Sequence, residues 1–157
     1  MIVEKVGSVF ASKSNIIAHP VNIQGFMGGE VGNKIASMYP ECEKTYMDYC
    51  NKTLTKEGKV LLYKIKENYY IASCFSLNME LKTMKIYLRQ CFNYIKQIAK
   101  GNNYTIAIQE DFGCDSVAAY GDKEKIFATL NDLFGNDKNI KFEIWRKEEE
   151  ESYGMES

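Results

Sequence analysis

The stretch best suited to chemistry runs from Ile16 to Ile35. Ile16-Ile17-Ala18-His19-Pro20 reads as an apolar strand, Asn22-Ile23-Gln24-Gly25-Phe26-Met27-Gly28-Gly29 as a glycine-dense turn, and the residues from Val31 onward as the start of an amphipathic helix. Glycines at 25, 28 and 29 let the main chain come close to a ligand and turn its N–H groups inward, and the N-terminus of the next helix adds partial positive charge. The chemistry this suits is an anion cradle. The spacing is neither G-x-G-x-x-G nor a P-loop ending in Gly-Lys-Ser/Thr, so ATP hydrolysis and hydride transfer lack their usual sequence support. His19, the one histidine of the chain, reads either as a base, since imidazole titrates near neutrality, or as a hydrogen-bonded strand-end residue.

A second candidate follows the run Tyr104 to Gln109. There Glu110-Asp111-Phe112-Gly113-Cys114-Asp115-Ser116-Val117-Ala118-Ala119-Tyr120-Gly121-Asp122 leads into the last helix. Small residues at 113, 116, 118 and 119 again permit close backbone approach. Asp115 reads equally as a residue that orients a water or as a turn cap, and Cys114 has no convincing partner as a nucleophile. In open α/β sheets ligands settle outside the carboxyl ends of the strands, so two such loops leaving parallel neighbours would grip a diphosphate from opposite sides.

The elements that must position these loops follow from hydrophobic periodicity. Strands are predicted near 1–6, 15–19, 59–65, 69–75, 104–109 and 140–145, and helices near 31–38, 41–54, 80–100 and 122–134. The third helix carries Leu81, Met84, Leu88, Cys91, Phe92, Ile95, Ile98 and Ala99 at steps of three and four, a stripe facing a core, and Gly101 is expected to end it. Lys66-Glu67-Asn68 is short and polar, as a tight antiparallel connection would be. The pattern gives an α/β fold, a mixed sheet covered by helices.

Composition narrows the function classes. With 157 residues, 45% of them apolar, the chain has room for one domain with one sizeable core, placed at 1–146. The acidic segment 147–157 is expected to be a solvated tail. Twenty basic against 21 acidic residues leave a net charge of −1, which argues against general nucleic-acid binding. No apolar run approaches the roughly 20 residues that cross a bilayer, and no secretory leader is recognisable, so no membrane partner and a soluble, cytoplasmic protein are expected. Five cysteines without a C-x-x-C pair, beside a single histidine, predict buried thiols of a reducing compartment and no metal site.

The chain resembles a macro domain, the α/β/α module that binds ADP-ribose. Three pieces carry the resemblance: Ile17 to Asn22, similar to the strand ending in the family's loop asparagine; Gln24-Gly25-Phe26-Met27-Gly28 with Val31, Ile35, Tyr39-Pro40 and Tyr46, similar to the branch with an N-x-Q-G-x-M-G loop; and Phe112-Gly113-Cys114 down to Gly121, similar to the second phosphate loop. The resemblance implies a three-layer α/β/α fold with about six strands and an ADP-ribose-like small-molecule ligand held without a cofactor. It places Asn22 by the distal ribose, and Gly25, Met27, Gly28 and Gly29 in the first loop. Gly113, Cys114, Ser116, Val117, Ala118, Ala119 and Gly121 would wrap the diphosphate, with Tyr120 beside the distal ribose or the phosphates. Val9, Phe10 and Phe142 or Ile144 become candidates for the adenine wall, or for plain core.

The sequence also departs from the family. Ser8 stands where family members often carry an adenine-binding aspartate, and a hydroxyl is a shorter, uncharged acceptor. Glu30 follows the glycines, where a carboxylate either repels a diphosphate or points to solvent and supports the helix dipole. Binding or sequestration of ADP-ribose or a related NAD-derived nucleotide is the leading expectation. The alternative is an ADP-ribosyl hydrolase or ADP-ribose 1''-phosphate phosphatase, with Asn22 positioning ribose or water and Asp115 or His19 assisting. One branch uses a lysine just after the strand near 70–75, but here that stretch reads Phe75-Ser76-Leu77-Asn78 and the nearest lysine is Lys82.

Overall fold

The computed structural model describes residues 1–112 and 123–148. Within them lie six strands, β1 (Ile2–Val6), β2 (Ile16–Pro20), β3 (Val60–Lys66), β4 (Tyr69–Cys74), β5 (Ile106–Gln109) and β6 (Phe142–Arg146). The helices are α1 (Gly29–Met38), α2 (Pro40–Lys52), α3 (Lys85–Asn102) and α4 (Lys123–Phe134), with a 3₁₀ turn at Val9–Ala11. The strands form one sheet in the order β1-β6-β5-β2-β4-β3. All neighbours are parallel except β3, which runs antiparallel to β4 at the edge.

Alternation along the strands splits the interior into two cores. Ile16, Ala18, Ala72, Cys74, Ile106, Ile108, Phe142 and Ile144 face α3 and α4. Ile17, Ile71 and Ala107 face α1 and α2, with Val9, Met27, Ile35 and Tyr46. Two helical layers on one sheet are the expected α/β/α architecture. The predicted stripe of α3 is core: Leu88, Cys91, Phe92 and Ile95 are fully buried. Phe142 and Ile144, offered as adenine wall, belong to this core instead. Strand alternation turns both toward α3 and α4, where the Phe142 ring lies 4.6 Å from that of Phe134 and 5.8 Å from that of Phe92.

Two boundaries differ from expectation for identifiable reasons. The third helix starts at Lys85, not near 80, because the Asn78 side chain accepts from the N–H groups of Glu80 and Lys82 and because Leu77 bridges Thr83, a turn that outcompetes helix. Leu81 sits inside that turn with φ 63°. At the other end Gly101 does not stop the helix; Asn103 does, in the left-handed region at φ 56°. The remaining boundaries fall within two residues of the predicted ones. Among the described residues Cys42, Cys74 and Cys91 are buried free thiols and Cys50 is a half-buried one. No helix there is long and apolar enough to cross a membrane.

Candidate functional site

The sheet order creates a topological switch point between β2 and β5. From β2 the chain leaves through α1 and α2 toward the β3 edge, whereas from β5 it leaves through α4 toward β6 on the other side. The two strands are parallel neighbours but pair only at Ile16–Ile106 and Ile17–Ala107, so they part before Ala18 and Ile108. A cleft opens at this fork, the place where open α/β sheets hold ligands. Among the described residues it is lined by His19, Gly28, Gly29, Glu30, Gln109 and Asp111, together with Ala18, Pro20, Val31, Gly32 and Phe112.

The first loop is held from within. Asn22 Oδ1 accepts from the N–H groups of Gln24 at 3.0 Å and Gly25 at 3.1 Å, and its amide donates to the Phe26 carbonyl at 2.8 Å. Asn22 is thus buried and committed to shaping the loop. From α2, the buried Tyr46 hydroxyl lies 2.6 Å from the Asn22 carbonyl, 3.0 Å from Asn22 Oδ1 and 3.3 Å from the Phe26 carbonyl. Its single proton is donated to the nearest of these. Gly25 has φ 96°, a backbone conformation that asks for glycine, and a Cβ there would already touch Cys50 Cβ at 3.4 Å. Gln24 ties the loop to the segment after β4 by donating to the Met79 carbonyl at 3.0 Å. Met27 is an inward anchor in the core under α1 and α2.

Gly28 caps α1 and offers no side chain to its first turn. The N–H groups there keep their donor capacity, and the helix dipole adds positive potential at the cleft. Val31 follows, partly buried against the same core. Glu30 pairs with Lys147 beyond β6. A salt bridge to a cation thus offsets the repulsion that a carboxylate in this position would exert on an anion.

Of the two readings of His19, a base or a hydrogen-bonded strand-end residue, the geometry matches the second. Only 1% exposed, it faces α1 and α2 from β2, with Nε2 2.8 Å from Ser73 Oγ on β4. Burial pushes the imidazole down to about 3, so near neutral pH the ring is uncharged and does not take up a proton in the range where a free imidazole would.

On the far side of the fork the 3₁₀ turn is fixed by Gln109, a residue not singled out by sequence. Its side chain accepts from Val9 N–H at 2.9 Å and donates to the Trp145 carbonyl at 2.8 Å. The available signal was a polar residue at an inward position after Ile106-Ala107-Ile108. Val9 is fully buried core, whereas Phe10 is partly exposed, with Lys34 Nζ 5.3 Å from its ring centre. The Ser8 hydroxyl accepts from Phe10 N–H at 3.2 Å and so caps this turn. Beneath it, Glu143 accepts from Ser12, from Ser14 at 3.2 Å and from Trp145 Nε1 at 2.9 Å. Burial raises the Glu143 carboxyl, but those hydrogen bonds and Lys141 outweigh it and hold it below the usual range. Gly113, Cys114, Asp115, Ser116, Val117, Ala118, Ala119, Tyr120 and Gly121 lie outside the described residues. Among those described, no cluster of three or more His, Cys, Asp or Glu is placed to hold a metal ion.

No protein-family model matches the chain. Over 68 residues it is 35% identical to an ADP-ribose 1''-phosphate phosphatase of Lodderomyces elongisporus, a match covering 41% of this chain and 42% of that relative, so less than half the length of either. Solved structures match far more of it. The macrodomain of Mycobacterium tuberculosis DarG superposes with a TM-score of 0.79 at 17% identity, covering 92% of this chain and 97% of that one. A Trypanosoma brucei macrodomain in complex with ADP-ribose gives 0.66 at 15% identity, covering 98% of this chain and 66% of that one. Strand order, layers and these superpositions agree: the chain has the macrodomain fold.

Proposed function

We propose that the chain binds ADP-ribose or a closely related NAD-derived nucleotide in the fork between β2 and β5. The observation that carries this reading is the coincidence at one switch point of a parting strand pair, an uncapped helix N-terminus and a glycine loop held rigid by Asn22 and Tyr46. A diphosphate needs oriented N–H donors more than cationic side chains, which suits a chain with a net charge of −1. The Trypanosoma relative, with the same fold, was solved in complex with ADP-ribose. In this reading Gly25, Gly28 and Gly29 supply close main-chain approach, Phe10 borders the adenine end, and residues 113–121 contribute the further diphosphate contacts that the family resemblance implies.

Isothermal titration with ADP-ribose, ADP and AMP tests the proposal. Saturable binding of ADP-ribose, weaker for AMP, is expected, and absence of heat with all three refutes it. Gly28→Val sharpens the test. Gly28 has an ordinary φ of −113° and is exposed, so the fold tolerates a side chain, yet one there crowds the Phe26 ring 3.4 Å away and the cleft mouth. The variant should keep the wild-type melting temperature and lose binding.

The phosphatase relative favours a second reading, in which the same cleft removes the terminal phosphate of ADP-ribose 1''-phosphate. Here Asp115 orients the attacking water, while Asn22 acts by keeping the loop in shape. Release of inorganic phosphate from that substrate, lost in Asp115→Ala with binding retained, supports turnover; an unchanged ligand after prolonged incubation leaves binding alone.

A further inference from the structure

The buried His19–Ser73 pair, of which His19 borders the cleft, holds two polar hydrogens and uses one. Ser73 carries an O–H and the neutral ring one N–H, but a single hydrogen bond of 2.8 Å joins them. The ring's other nitrogen, Nδ1, is buried and has no hydrogen-bond partner among the described residues. Whichever way the shared proton points, one N–H or O–H of the pair is left without an acceptor. Such a group inside a protein carries a real penalty, and a native site that retains one calls for an explanation. His19 also lines the cleft, beside the glycines of the first loop.

We propose that His19 is a positioning residue for the nucleotide: Ser73 donates to Nε2, the ring proton sits on Nδ1, and an oxygen of the bound ligand completes the Nδ1–H hydrogen bond. This rests on the binding reading above. An anionic diphosphate and its riboses are rich in acceptors, which is what an Nδ1–H donor lacks in the free chain. A neutral donor suits the task because it holds the same form throughout the neutral range. The Ser73 hydroxyl then selects the tautomer, as a hydrogen bond to one ring nitrogen fixes the state of the other.

The test uses the wild-type chain, whose single histidine gives one unambiguous set of ring signals. Nitrogen-15 NMR of the histidine-labelled protein is recorded with and without saturating ADP-ribose, occupancy being followed by calorimetry on the same sample. The expected result is a neutral ring with its proton on Nδ1 in the complex, and an Nδ1 signal that moves on binding by more than the Nε2 signal. An Nδ1 signal unmoved in a calorimetrically saturated complex, or a proton on Nε2 there, overturns the inference while leaving the binding reading intact. No heat of binding overturns both. In parallel, Ser73→Ala should weaken ADP-ribose affinity roughly 5- to 10-fold, the effect of about one lost hydrogen bond. It should also return the ring to a mixture of tautomers; wild-type affinity together with a single Nδ1–H tautomer counts against the role given to Ser73.

Discussion

Replacing Tyr46 by Phe removes one oxygen from the interior and probes how the first loop is held. The hydroxyl donates to the Asn22 carbonyl at 2.6 Å and has two further loop oxygens within 3.3 Å. Burial pushes the phenol up, so it remains a donor at any working pH. Loss of one buried hydrogen bond, with its acceptor left unpaired, costs about 2 kcal/mol. For a chain of this size that is a fall in melting temperature of about 4–8 °C. If the loss leaves only about a tenth of the chains with the loop in its binding form, apparent affinity falls about tenfold. Calorimetric melting and ADP-ribose titration of Tyr46→Phe give both numbers. A variant that melts and binds like the wild type would falsify the claim that α2 holds the loop in shape.

Other consequences concern charge and packing. His19 has a folded-state value of about 3, below that of a free imidazole, so the unfolded chain takes the proton first. Stability is therefore complete above about pH 6.5 and declines as pH falls toward 3, by about 2 kcal/mol between pH 7.5 and 5. Urea midpoints across that range should show the decline in the wild type and not in His19→Gln; equal slopes rule out the assignment. Glu143→Gln removes the charge from Oε1, the one oxygen on which Ser12, Ser14 and Trp145 Nε1 converge, and from Oε2 beside Lys141, a loss of about 1–3 kcal/mol. Since Trp145 is the only tryptophan, its emission should shift in that variant, and an unchanged spectrum with unchanged stability contradicts the network.

Local signals carried much of the fold. The stripe on α3 and the alternation along the strands specify two helical layers on a mixed sheet, because burial of apolar faces leaves few other arrangements. The start of α3 was not readable from periodicity: Leu81 and Met84 fit the stripe, but the Asn78 side chain captures the preceding N–H groups. The glycine loop was legible as an anion cradle. What periodicity does not contain is the parting of β2 from β5, which depends on two strands almost 90 residues apart in the chain. Nor does it reveal that Asn22 turns inward to Gln24, Gly25 and Phe26, or that Gln109 braces the 3₁₀ turn. Those hydrogen bonds join residues whose types were visible but whose neighbours are set by tertiary packing. His19 shows the same limit: its type allowed a base or a hydrogen-bonded strand-end residue, and its burial, which is set by tertiary packing, makes it the second.

The claim on which the account rests is the location of the phosphates. A crystal structure of the chain with ADP-ribose tests it most directly. The diphosphate is expected in the fork between β2 and β5, within hydrogen-bonding distance of main-chain N–H groups in the stretch from Gly28 to Val31. A nucleotide bound on another face of the sheet, or with its phosphates turned away from the N-terminus of α1, would contradict it.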